Sequence, residues 1–307
     1  MNTRSDGDDN ITQKTSSPAA SQAGTKFQQA LASYQKRQLA VAEALCKEIL
    51  QLQPDNFDAL HLSGIIAGQT KLFQRAVQFI DRAIALNPNH ASAYNNRGIA
   101  MGSLNQHQRA IESFDRAISL KPDYAEAHYN RGIALRNLNQ HQKAIESFDR
   151  AIALQPDYAD TWFNRGITLG KLNRHQAAVE SYDRAIALKP DCAEAYNNRA
   201  ISLGSLSRHL AAIESFDRAI TLKPDYAEAY NNRGAALGAV HRHRAAIDEY
   251  DRAIALKPDY AEAYYNRGIA WRNLNQYRNA LESYDRALAI RPAYPDAQFN
   301  KAMVLLI

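Results

Sequence analysis

Only two cysteines occur in this chain, Cys46 and Cys192, isolated and far apart. Such a pair builds no disulfide framework and gives no sign of an oxidising compartment. Cys192 stands where sister segments carry tyrosine and reads as a small buried substitute. No apolar run approaches the ~18 residues that span a bilayer. The N-terminus lacks the basic start and apolar stretch of a secretory leader, so the expected location is cytoplasmic. No phosphate-cradling loop, nucleophile elbow or paired Cys/His motif is present. The chain therefore reads as a non-enzyme, with no catalytic residue, cofactor or metal. The formal charge of +5 is modest for 307 residues.

What the chain does have is a period. Pro54, Pro88, Pro122, Pro156, Pro190, Pro224, Pro258 and Pro292 stand 34 residues apart. A strict interval of this length marks stacked supersecondary units, not one globular core. Residues 1–25 read as a disordered polar tail, in which Ile11 is the one large apolar side chain after Met1. The units fill 26–294, with boundaries near 57, 91, 125, 159, 193, 227 and 261. Residues 295–307 begin one more first helix of an incomplete unit.

The segment Ala91 to Tyr124 shows how one unit is built. Tyr94, Gly98 and Met101 share one helical face, and Ala110, Phe114, Ala117 and Leu120 share another. Asn105, Gln106 and His107 form a polar turn between them. Pro122 stops the second helix. Asp123 and Glu126 then read as a capping-box-like start for the next one. Small residues recur where the helices must approach, such as Ala110 and Gly98. Glycine costs about 1 kcal/mol in a helix, so its recurrence calls for a packing reason.

This run of aromatic, Gly, Ala, aromatic, Ala and Pro resembles the tetratricopeptide repeat over nearly the whole chain. Its units are similar to bacterial arrays of that family and to the repeats of O-linked N-acetylglucosamine transferases. The resemblance implies an all-α fold: a right-handed α-solenoid of eight antiparallel helix pairs plus one extra C-terminal helix. It also implies a concave groove lined by the first helices. The family's clamp for chaperone C-termini needs lysines where this chain has Glu126, Tyr129 and Ile133, so that use is not expected.

Two polar ladders need separate explanations. Asp81, Asp115, Asp149, Asp183, Asp217, Asp251 and Asp285 each have a basic residue sixteen positions downstream, in the next unit. Ion pairs across unit boundaries are expected, with arginine as a structural residue. That use of arginine weakens a nucleic-acid reading, and none is expected.

The second ladder is Asn96, Asn130, Asn164, Asn198, Asn232, Asn266 and Asn300. Asparagine is a poor helix-interior residue. Its amide both donates and accepts, so it can hold a peptide backbone without reading side chains. By the resemblance, this stripe faces the groove. Two other readings stay open: copying by duplication, and bridging between neighbouring helices. Tyr129, Phe163, Tyr265 and Phe299 replace asparagine in the adjacent register, and Arg136, Lys171 and Arg272 replace small residues. Ile99, Ile133, Ile167, Ile201 and Ile269 add an apolar line.

The expected function is a scaffold or adaptor that binds an extended peptide, part apolar and part acidic. The alternative is a substrate-recruiting N-terminal arm of a larger bacterial glycosyltransferase-like enzyme. Partners are protein or peptide, without nucleic acid or membrane, with self-association through the apolar C-terminal end. The ladder His107, His141, His175, His209 and His243 is expected to cover helix starts, because residues one unit apart, on the order of 10 Å, cannot share a metal ion.

Overall fold

The structure, a computed structural model, describes residues 18–306. The chain divides into two compact units at Asn130 and Arg131. In the first, α1 (Pro18–Gln35) pairs with α2 (Leu39–Leu52), α3 (Phe57–Gln69) with α4 (Phe73–Leu86), and α5 (Ala91–Ser103) with α6 (His107–Leu120). The division falls within α7 (Ala125–Asn137).

In the second unit, α8 (His141–Leu154) packs on α9 (Ala159–Lys171), which pairs with α10 (His175–Leu188). The following pairs are α11 (Ala193–Ser205) with α12 (His209–Leu222), α13 (Ala227–Ala239) with α14 (His243–Leu256), and α15 (Ala261–Asn273) with α16 (Tyr277–Ile290). The last helix, α17 (Pro295–Leu305), packs on α16. Among the described residues all regular structure is helical, and the expected helix pairs and extra C-terminal helix are present. Within each unit, consecutive first helices also touch: α3 with α5, and α11 with α13.

The tail expectation needs one correction. Residues 18–25 belong to α1, and Ala23 is buried with Ile49 and Ala59. A small residue that fits between neighbouring helices is enough to extend the helix over a polar stretch. The remainder of the expected tail, 1–17, lies outside the described residues.

The hairpin inside each pair turns on one left-handed residue. Arg37, Lys71, Asn105, Asn139, Asn173, Ser207, His241 and Asn275 all have φ between 56° and 61°. Asparagine, which tolerates this region best after glycine, holds four of these places. The Asn105 N–H donates to the Gly102 carbonyl and the Gln106 N–H to that of Met101, closing the helix end.

The expected capping box does not form. The cap residue of α13 is Tyr226 and that of α15 is Tyr260, each without a side-chain cap. Asp225 and Asp259 sit one residue too early, and their carbonyls accept from Ala227 and Ala261. Glu228 and Glu262 keep a favourable place in the first helical turn. Among the described helices Asn56 does cap: its Oδ1 accepts from the Ala59 N–H at 3.0 Å.

The glycine register has the packing reason expected of it. A Cβ on Gly98 would stand 2.5 Å from Phe114 Cε1, and one on Gly166 2.6 Å from Tyr182 Cε1. Each aromatic ring lies directly on a first-helix backbone. Alanine takes this place at Ala200, buried beside Phe216, and at Ala30, buried beside Cys46.

Candidate peptide-binding face

The seven ladder asparagines lie on the first helices and are all half-buried. They are tied to their neighbours. In the first unit, Asn96 Nδ2 lies 3.0 Å from His61 Nε2, and Asn130 Nδ2 donates to Asn95 Oδ1 at 3.2 Å. Asn95 in turn donates to Glu126 Oε1 at 3.2 Å. In the second unit, Asn232 donates to Asn197 Oδ1 at 3.4 Å and Asn266 to Asn231 Oδ1 at 3.0 Å. Asn198 accepts from Asn197, and Asn164 Nδ2 donates to the Asp160 carbonyl at 2.8 Å. Each ladder amide is thus held in a fixed orientation, most often by the first helix before it. An amide has two N–H groups and two lone pairs, so it can bond a neighbour and a ligand at once.

The adjacent register is more buried than the sequence suggested. Asn95, Asn197 and Asn231 are 0%, 4% and 1% exposed, and connect one first helix to the next. Where an aromatic replaces them, a ring contact takes over. Phe163 packs on Tyr182 with centroids 6.1 Å apart, and Tyr265 lies 4.9 Å from Tyr294. Tyr129 is likewise half-buried, whereas Phe299 is 66% exposed on α17.

Two of the three basic residues are tied to the ladder as well. Arg136 Nη1 donates to Asn164 Oδ1 at 2.6 Å, and Arg272 Nη1 to Asn300 Oδ1. Asn300 then donates to the Tyr265 hydroxyl at 3.1 Å. Tyr265 with Arg272 therefore forms a second kind of boundary, replacing the asparagine pair. Tyr129 with Arg136 repeats that substitution in sequence. Lys171 is exposed at the end of α9.

Between the ladder positions the surface is apolar. Ile99 and Ile201 are 40% and 45% exposed, and Ile133, Ile167 and Ile269 are half-buried. A cleft of about 340 Å³ lies beside Ile99 and Asn96, floored by Gly64 and Gly68. In the second unit a cleft of about 360 Å³ repeats this register, with Ile201, Asn232, Ala200 and Gly204. Burial pushes the His61 imidazole down to about 4, helped by neighbouring His90.

The arginine ladder forms the expected boundary-crossing ion pairs. Arg97 reaches Asp81 at 2.5 Å, Arg165 Asp149 at 2.6 Å and Arg199 Asp183 at 2.6 Å. Arg233, Arg267 and Lys301 do the same with Asp217, Asp251 and Asp285. The aspartates are about half exposed, so these pairs are worth less than buried ones. A third partner escaped the sequence reading. Arg97 Nη1 also donates to Ser113 Oγ, and Arg165 to Ser181. The signal was there: each serine stands sixteen residues after its arginine, mirroring the aspartate sixteen before. At Arg233 the serine is replaced by Glu249, which is 11% exposed. Burial opposes the Arg233 charge, but bonds to Glu249 and Asp217 outweigh it and raise its pKa.

The ladder histidines open α6, α8, α10, α12 and α14. Among the described residues no group of three or more potential ligands could hold a metal ion, and no helix is long and apolar enough to cross a membrane.

Family models described as tetratricopeptide repeat or TPR repeat match 27–91, 79–112, 102–139, 125–158, 163–227, 242–272 and 261–294. No curated protein matches the chain. Among solved structures, YrrB, described as a TPR protein with an unusual peptide-binding site, is 25% identical, with a TM-score of 0.55. That match covers 60% of this chain and 95% of YrrB. MamA is 26% identical at a TM-score of 0.50, covering 52% of this chain and 94% of its own. A tetratricopeptide repeat protein from Parabacteroides merdae shares the fold at 15% identity and a TM-score of 0.59, covering 81% of this chain and 98% of its own.

Proposed function

From the premise that the chain belongs to the tetratricopeptide repeat family, whose members are protein-interaction scaffolds, we propose that its first helices hold an extended peptide through the asparagine ladder. The observation that carries this reading is a row of half-exposed amides, each oriented by a neighbour, with exposed isoleucines between them. Pre-oriented amides bind a backbone with little ordering cost. An extended chain offers a donor and an acceptor at every residue. The clefts beside Ile99 and Ile201 take apolar side chains of the same segment. Lys171 favours an acidic residue nearby. The description of YrrB as peptide-binding supports the reading by similarity.

A random peptide library selected on the full chain tests it. Selected peptides should lose at least about tenfold affinity for Asn198→Ala/Asn232→Ala, since two backbone contacts at roughly 1 kcal/mol each disappear. Unchanged affinity would leave the ladder as a bridge between helices only.

A further inference from the structure

The cations that the arginine ladder does not use lie along the second helices, at the turns between helix pairs and, without carboxylates among them, at the hairpin turns. In the second unit this last set occupies the turns that join first to second helices. Arg174, Arg208, Arg242, Arg244 and Arg278 are all exposed there. None of them makes an ion pair among the described residues. The turn stretches 170–177, 204–211, 238–245 and 272–279 contain no aspartate or glutamate. The opposite turns are mixed: Lys223 pairs with Glu194 at 3.3 Å and Lys257 with Glu228 at 3.7 Å.

The placement is unfavourable for the helices themselves. Arg174, Arg208 and Arg242 are the cap residues of α10, α12 and α14. Those helix starts have no side-chain cap and no acidic residue in the first turn. A cation beside a helix N-terminus opposes the helix dipole. Gln106, Gln140 and Gln276 serve the same position elsewhere without charge. Folding alone therefore does not call for arginine, and the helix starts add to its positive potential.

The geometry points to this edge of the second unit as a docking strip for an extended acidic protein segment, separate from the asparagine face. Arginine dominates the strip, and its planar fork matches carboxylates in two-point contact. The cap arginines recur once per helix pair, about every 10 Å if helices pack at their usual separation. An extended chain advances about 3.3 Å per residue, so a carboxylate at every third position meets successive arginines. Single-stranded nucleic acid would call for aromatic stacking platforms. Apart from the His241 ring, the exposed side chains of the strip are basic, polar or aliphatic, such as Leu210 at 68% exposure.

The test uses the full chain and a labelled peptide of four Glu-Gly-Ser repeats, read by fluorescence anisotropy. Arg174→Gln/Arg208→Gln/Arg242→Gln installs the residue that sister hairpins carry, so it should fold normally and melt no lower. It should lose at least about tenfold affinity, and the Glu version more. Arg150→Glu/Arg218→Glu/Arg286→Glu alters exposed cations on the second helices. It should change affinity by no more than about twofold. Asn198→Ala/Asn232→Ala should bind the acidic peptide as the parent does, which separates this proposal from the ladder reading. Equal losses in the two arginine sets would show that net charge alone attracts the peptide, overturning the strip. Tighter, strip-dependent binding to duplex DNA or to phosphatidylserine vesicles would overturn the choice of partner.

Discussion

His61 occupies the place that Asn95, Asn197 and Asn231 take in later pairs. Its ring lies 5.1 Å from His90 and 5.6 Å from Phe57, and its Nε2 meets the Asn96 amide at 3.0 Å. In that place the neutral ring accepts, and a proton on Nε2 would face the amide donor. Burial lowers the pKa from 6.5 to about 4. Below the unfolded value the unfolded chain binds more protons than the folded one. Stability is then fully present above pH 6.5 and is lost as pH falls toward 4. The shift corresponds to about 3 kcal/mol at most. His61→Asn, which copies the sister residues, should remove this acid sensitivity. Between pH 7.5 and 4.5, urea unfolding followed by circular dichroism should show the parent losing about 2 kcal/mol more than the variant. Parallel losses in both proteins would mean that His61 is not the group that titrates. Nothing in the sequence around His61 announced this, because its burial comes from packing between helices and His90, the cap residue of α5, stands 29 positions downstream.

The helix pairs themselves were legible because each boundary is marked by its own chemistry. Proline ends the second helix, and the glycine register shows where an aromatic ring lies on the backbone, as Gly98 does for Phe114. The arginine and aspartate registers were legible through their mismatched ends, Asp81 and Lys301. The candidate binding face was less so. Tyr265 and Arg272 look like ligand contacts in a row of residues, yet they bind Asn300, 35 and 28 residues downstream. Periodicity reports which helix face a residue occupies, not which neighbour it satisfies. The arginine register allows a direct comparison at this level. Arg199 bridges half-exposed Asp183 and the Ser215 hydroxyl. Arg233 bridges half-exposed Asp217 and nearly buried Glu249, the latter through two bonds. Arg199→Met should cost about 1 kcal/mol, as for a surface pair. Arg233→Met strands a carboxylate inside the stack and should cost about 3 kcal/mol. Adding Glu249→Ser should restore most of that loss. Denaturant midpoints of the three variants decide it. Equal costs for Arg199 and Arg233 would mean that Glu249 moves out to water at no expense.

For the molecule as a whole, the missing single core matters most. Val179, Ala200, Leu203, Ala212, Phe216 and Ala236 form one cluster spanning α10 to α13. Leu237, Ala246, Ile247, Tyr250 and Ala270 form the next, and Ile213 packs against both. Stability then accumulates pair by pair through nearest-neighbour contacts. A sequence with a strict period shows that such a stack exists, but not how far a local defect spreads, because that depends on shared side chains such as Ile213. Phe216, 2% exposed, lies at the centre of its cluster. Phe216→Ala should cost about 3–5 kcal/mol. In native-state hydrogen exchange the loss of protection should centre on α11, α12 and α13, which share that cluster. It should be much smaller in α16, which contributes to neither cluster. Equal loss of protection in α12 and α16 would mean that residues 131–306 open as one cooperative block. The nearest-neighbour account would then fail, since energy lost at one pair would be felt undiminished two pairs away.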